Sequence, residues 1–115
     1  MKHTESLCEN HDFRRLYARG KNKVTPYLVV YAQKNRFGKS RLGLTTGKKI
    51  GCAVERNRAR RLMRESFRLL EPQIRRGYDI VLVARVKTVH AKQQKVGAAL
   101  YAALDGLGLI RKEGG

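Results

Sequence analysis

The stretch AVERNRARRLMRESFRLLEPQIR, Ala53 to Arg75, carries two patterns with one period. Projected at about 100° per residue, Ala59, Leu62, Met63, Phe67, Leu70 and Ile74 fall in one sector. Asn57, Arg60, Arg61, Arg64 and Arg68 fall in another, spaced as neighbours on a helix surface. The spacing predicts a long helix with one face buried and the other a ladder of guanidinium groups carrying one amide. Pro72 stops or kinks it near the end. Glu65 is the only acid between Arg56 and Arg68, so the arginines lack enough partners to neutralise one another. A helix tolerates such like-charge spacing poorly, which points to an external polyanion rather than a merely solvated face. Arginine suits that task, because its planar fork grips two phosphate oxygens or stacks on a base.

Upstream, Gly47 and Gly51 bracket a loop holding Lys48 and Lys49. A helix start offers free N–H groups and partial positive charge, so loop and helix start extend the same expected anion site. Further upstream, Val24 to Lys34 alternates as a strand, Tyr27, Val29 and Tyr31 against Leu28, Val30 and Ala32. Pro26 suggests an edge position or a kink where the strand begins. A basic turn, Asn35 to Ser40, leads to a second strand at Arg41 to Thr46, and the two are expected to form an antiparallel pair. The first helix follows Asn10, read as its N-cap, and stops at Gly20. Within it Phe13, Leu16 and Tyr17 share one face while Arg14, Arg15 and Arg19 point elsewhere. Downstream, the apolar run Tyr78 to Ala84 reads as a central strand covered on both sides. A last helix, about His90 to Leu107, has the core stripe Val96, Ala99, Leu100, Ala103, Leu104 and Leu107. The order α-β-β-β-α-β-α predicts an α+β fold with helices packed on a small mixed sheet.

The whole chain agrees with a binding role. It has 115 residues, enough for one domain over residues 5–110, with flexible ends expected at 1–4 and 111–115. Lys and Arg total 26 against 9 Asp and Glu, giving a net charge of +17, while hydrophobic residues make up 42%. That is a folded domain whose self-repulsion needs a polyanionic partner. No apolar run spans a bilayer and no signal peptide is visible, so a cytoplasmic protein is expected. With no Trp and three Phe, a basic membrane helix is disfavoured and nucleic acid leads. Cys8, His11 and Cys52 match no zinc spacing. The acids, among them Asp12, Asp79 and Asp105, are scattered over different elements, and no metal-nuclease or nucleophile constellation emerges. No catalytic or metal-binding residue is therefore expected. Phe13 with Tyr17, and Tyr27 with Tyr31, read either as core or, bordered by cations, as stacking surface for single-stranded RNA. Nucleic-acid binding fits these residues, as in a ribosomal or other structural RNA-binding protein or in a DNA-binding module.

The run from Lys48 to Arg64 resembles the signature of the bacterial ribonuclease P protein family: Lys-Lys-x-Gly-x-Ala-Val, then Arg-Asn-x-x-basic-Arg-x-x-Arg. Every signature position is matched. Asp12-Phe13 with Tyr17 and Gly20 resembles the family's first helix, and Arg41 to Leu44 and Ile80 to Arg85 resemble the strands flanking the motif. The resemblance implies an α/β sandwich with a left-handed β-α-β crossover, where generic rules lead to a right-handed one. It implies a subunit of an endoribonuclease whose RNA carries the catalysis, with Mg²⁺ needed by the holoenzyme and no cofactor bound by the protein alone. The implied partners are the catalytic RNA and precursor tRNA, with neither membrane nor DNA. By position, Phe13, Tyr17, Tyr31, Thr45 and Lys49 would hold the 5′ leader in a cleft between first helix and sheet. Arg56, Asn57, Arg60, Arg61 and Arg64 would face the catalytic RNA, and Lys48 and Arg68 extend that basic surface.

Overall fold

Tyr78–Ala84 (β5) is the middle strand of a five-stranded sheet. Its run of β-branched and apolar residues suits a site walled on both faces, and Ile80, Val81 and Leu82 are fully buried. The computed structural model describes residues 4–7, 9–36 and 38–111. Around β5 the order is β1 (Thr4–Ser6), β4 (Ser40–Thr45), β5, β3 (Leu28–Lys34) and β2 (Lys21–Val24). β4 runs parallel to β5, and β1 parallel to β4. β3 is antiparallel to β5, and β2 antiparallel to β3.

The antiparallel pair expected between β3 and β4 therefore does not form. β5 sits between them, and β3 makes its hairpin with β2 instead. An interior place suits the most apolar strand, and β5 takes it at the expense of the pairing nearest in sequence. Pro26 lies in the turn between β2 and β3, where its missing N–H removes no ladder bond.

Three further helices follow the first, α1 (Asn10–Arg19): α2 (Ala53–Leu70), α3 (Val86–His90) and α4 (Gln93–Gly106). The sheet divides two cores. On one face Leu28, Val30, Ala32, Leu42, Ile80 and Leu82 meet Ala59, Met63 and Phe67 of α2 and Val96, Leu100 and Leu104 of α4. On the other, Leu16 of α1 packs with Leu7 and Val81, flanked by Phe13, Tyr31 and Val83. The buried stripes expected on α2 and α4 are thus the ones that pack. α2 ends at Leu70 and passes into a 3₁₀ turn, Glu71–Gln73, that accommodates Pro72. The expected last helix begins at Gln93 rather than His90, and a separate short helix, α3, which was not expected, precedes it across Ala91 and Lys92. The two-residue gap lets α3 dock on its own: Thr88 and Val89 are buried, the Thr88 hydroxyl bonds the Tyr27 carbonyl, and Arg58 Nε donates to the Val89 carbonyl at 2.7 Å.

Two local expectations change at α1. Its N-cap is Glu9 rather than Asn10, with no side-chain cap. Gly20 has φ −71°, so left-handed geometry is not what it supplies. A Cβ there would lie 2.6 Å from the Leu16 carbonyl oxygen and 3.1 Å from that of Ala32; glycine is needed for close approach of helix to sheet. At the two ends, Thr4 is paired with Ser40, and the Arg111 N–H donates to the Gln73 carbonyl at 2.7 Å. Residues 1–3 and 112–115, where flexible ends were expected, lie outside the described residues.

Two of the acids that look scattered in sequence, Asp12 and Asp79, converge in space. Asp79, 1% exposed, receives Arg41 Nε at 2.8 Å and Nη2 at 2.7 Å. Arg15 Nη2 reaches it at 2.6 Å and Asn35 Nδ2 at 2.9 Å. Buried Asp12 completes the cluster, 3.1 Å from Arg15 and 3.6 Å from Arg41. Burial pushes the Asp79 carboxyl up, but hydrogen bonds from Arg41 and Asn35 and the charges of Arg41 and Arg15 outweigh it, leaving it below its ordinary value. Its hydrogen bond to Asp79 holds Arg41 above the ordinary guanidinium range.

Asp79→Asn leaves Arg15 and Arg41 with only the Asp12 part of their buried counter-charge and is expected to destabilise the fold by about 3 kcal/mol at pH 7, measured by urea unfolding. Because the folded carboxyl titrates below its unfolded value of about 3.9, the stabilisation is complete above that pH and is lost as pH falls through the folded value. The gap between wild type and Asp79→Asn should accordingly narrow below about pH 4; a gap constant down to pH 2.5 would remove the charge from the explanation.

Candidate nucleic-acid interface

The outer face of α2 presents Asn57, Arg60, Arg61 and Arg64 to solvent, as the periodicity predicts, while Arg56 is half-buried. Arg60 Nη1 leans toward Asn57 Oδ1 at 3.4 Å. Arg68, at the end of the ladder, is paired with Glu65 at 2.8 Å; that hydrogen bond lowers the Glu65 carboxyl's pKa and raises that of Arg68. The ladder thus has three arginines reaching outward with no salt bridge among the described residues, then an internally balanced end. Arg58, on the same helix, is committed to the α3 backbone.

The start of α2 explains one glycine of the motif. Gly51 has φ +131°, and a Cβ there would lie 2.4 Å from Glu55 Oε1. That space lets the Glu55 carboxylate fold back and accept the Cys52 N–H at 3.3 Å. The helix start is therefore capped by the chain's own carboxylate, which competes there with the anion expected at that end. Lys49 is exposed in the 3₁₀ turn Lys48–Ile50 beside it. The side chain of Lys48, expected on this surface, lies outside the described residues.

The aromatic residues gather on the opposite sheet face. Register places Gly43, Val81, Tyr31 and Asn22 in one row across four strands, and Thr45, Val83, Val29 and Val24 in the next. α1 lies over the first row. Tyr17, 43% exposed, meets Tyr31 edge-to-face at 4.9 Å between centroids, and Phe13 lies 6.4 Å from Tyr17. Gly43 leaves room for Phe13, since a Cβ would sit 2.7 Å from its ring. The next row forms a shallow floor beyond the helix; its edge residue Val24 is 63% exposed. Phe13, Tyr17, Tyr31 and Thr45 thus share one sheet face, an aromatic trough beside α1, and Lys49 follows in the 3₁₀ turn after β4.

Sequence reasoning missed Val24, Val29 and Val83 as part of this floor. Strand alternation marked their face, but only register across β3 and β5 aligns them. It also missed Arg15 and Arg41, the clamp that seats α1. No group of three or more His, Cys, Asp or Glu among the described residues is arranged to hold a metal ion; Asp12 and Asp79 converge, but on guanidinium groups. No described helix is long and apolar enough to cross a membrane.

A half-exposed aromatic trough on one face of a sheet and a polycationic helix on the other define a binder of flexible, phosphate-rich chains. Residues 1–108 match the Ribonuclease P family, and the chain belongs to that family as a protein subunit of ribonuclease P. It is 45% identical over 89 residues to the ribonuclease P protein component of Clostridioides difficile, covering 76% of this chain and 78% of that one. With the component of Alkaliphilus oremlandii it shares 36% identity over 110 residues, 96% of each chain. The Staphylococcus aureus RNase P protein structure superposes with a TM-score of 0.82 at 29% identity, covering 92% of this chain and 97% of that one. The Thermotoga maritima protein gives 0.76 at 33% identity, covering 85% and 93%.

Arg60→Ala and Arg64→Ala should each reduce the slope of log affinity against log salt for a large structured RNA by about 1, read by filter binding across a salt series. Arg58→Ala should instead lower the melting temperature and leave that slope unchanged. A slope loss from Arg58 equal to that from Arg60 would mean the two arginines do not have separate jobs.

Proposed function

We propose that this chain binds the catalytic RNA of ribonuclease P through the outer face of α2 and the 5′ leader of precursor tRNA in the aromatic trough. The RNA carries out the hydrolysis, in the cytoplasm, with Mg²⁺ supplied to the holoenzyme through RNA phosphates. The observation that carries this reading is the separation of the two surfaces by the sheet. Arg60, Arg61 and Arg64 point away from the α2 core, while Tyr17 and Tyr31 stand over the other side. One RNA can then be gripped without covering the place where a second is held.

Each surface suits its ligand. A folded RNA offers phosphates from its grooves, and guanidinium forks at helical spacing match a run of them without reading bases. An unpaired leader offers base faces, and rings with open edges stack on any base at about 1 to 3 kcal/mol each. Thr45 and Lys49 add a hydroxyl and a cation at the end nearest α2, where the two RNAs would approach. A ribosomal or other structural RNA-binding role would need the helix but leaves the trough without a use.

Reconstitution tests this. Protein added to its cognate catalytic RNA at low Mg²⁺ should accelerate leader removal; no acceleration would sink the proposal. Tyr17→Ala should weaken binding of leader-bearing tRNA about tenfold, corresponding to one lost stack, and leave mature tRNA within about twofold. Equal losses for both ligands would return Tyr17 to a packing role.

A further inference from the structure

Two adjoining hollows lie at the end of the sheet away from Thr45 and Lys49. The first, about 240 Å³, has Arg19, Lys21 and Lys34 around an apolar floor that includes Ala32, Leu107 and Leu109. The second, about 470 Å³ and more open, is ringed by Arg75, Arg76 and Arg111. Lys34 and Tyr78 line both, so the two make one continuous groove. Among the described residues, no acidic side chain lines either hollow. Lys34 pairs with Tyr78 across β3 and β5, and by alternation both share the face of Ala32 and Ile80. The groove therefore opens mainly on the α4 side, at the end of the sheet where Gln33 and Arg19, the last residue of α1, also border it.

Its wall is set before any ligand arrives. The Arg75 N–H donates to the Leu109 carbonyl and the Arg111 N–H to the Gln73 carbonyl, both at 2.7 Å, closing an Ile74–Ile110 bridge between them. Gly77, at φ +89°, turns the chain between Arg76 and Tyr78, and its carbonyl accepts the Asn35 N–H at 2.8 Å. A wall fixed by backbone bonds loses little freedom on binding.

We propose that this groove is a second site for single-stranded RNA, separate from the leader trough. Six cations strung along two connected hollows match a line of phosphates better than a single anion, and Tyr78 with the apolar floor supplies a stacking surface midway. The site does not depend on the trough's role, because it lies at the other end of the sheet from Thr45 and Lys49 and uses none of the trough's residues.

Photocrosslinking of the full-length chain with 4-thiouridine-substituted hexauridylate, mapped by mass spectrometry, tests it. The expected result is cross-links in two separate peptides, one around Tyr17 or Tyr31 and one spanning 75–78. Arg75→Glu with Arg76→Glu, both exposed, should cut the 75–78 cross-link about tenfold and leave the Tyr17 peptide unchanged; Tyr17→Ala should do the reverse. Absence of the 75–78 cross-link in the wild-type chain, or its survival in the double variant, overturns the proposal. So does a polyglutamate peptide that displaces hexauridylate from 75–78 better than unlabelled hexauridylate does, which would assign the groove to an acidic protein segment. Loss of only the Tyr17 cross-link would count against the leader trough and not against this site.

Discussion

Asp79 stands at the start of the central strand and ties three other parts of the chain to it: Arg15 from α1, Arg41 from β4 and Asn35 from the turn after β3. A buried carboxylate is tolerated only when its charge and lone pairs are met, and here guanidinium groups meet them. The consequence reaches the RNA-facing side. α1 is seated by Arg15 at one point and Leu16 at another, which leaves Tyr17 leaning on Tyr31 rather than buried beneath the helix. The trough is thus a by-product of where the clamp holds α1.

The chain's large positive charge is divided by the fold into cations that hold it together and cations that are spare. Arg15 and Arg41 serve the clamp, Arg58 the α3 backbone, and Arg85 the Thr25 carbonyl at 3.0 Å. Arg68 is balanced by its helix neighbour. Arg60, Arg61 and Arg64 stay outward, and on a helix they sit at neighbouring positions whose mutual repulsion a bound phosphate chain relieves. Composition alone announces an appetite for polyanions; only this division says which side chains are left to satisfy it.

Several elements were legible because their signal is local. The continuous apolar run of β5, the two-faced period of α2 and the stripe of α4 each follow from one stretch of chain meeting one environment. Gly20 after the first helix and Gly51 of the motif were visible as residues but not in their reasons. Gly20 clears two carbonyl oxygens and Gly51 clears the Glu55 cap, close approaches that exist only once the parts are assembled. The β3–β4 hairpin misled because short turns favour neighbouring strands, yet sheltering β5 in the middle satisfies more apolar surface. The short helix α3 was hidden for a related reason. Five residues are too short for a periodic stripe, and what holds them is the contact of Thr88 with Tyr27 and of Arg58 with Val89, distant in the chain.

The amino-acid order by itself determined the α+β class, the faces of the long helix, the arginine ladder and, through its motif, the family to which the chain belongs. Each depends on periodicity or spacing within a single segment. Tertiary structure alone decided that Asp12 and Asp79 meet Arg15 and Arg41, that three valines align into a floor beside the aromatic rings, and that six cations border one groove. Those groupings join residues from strands and turns far apart in the chain. Sheet order and register bring them together, and both are chosen by the burial of the whole domain rather than by any one stretch of it.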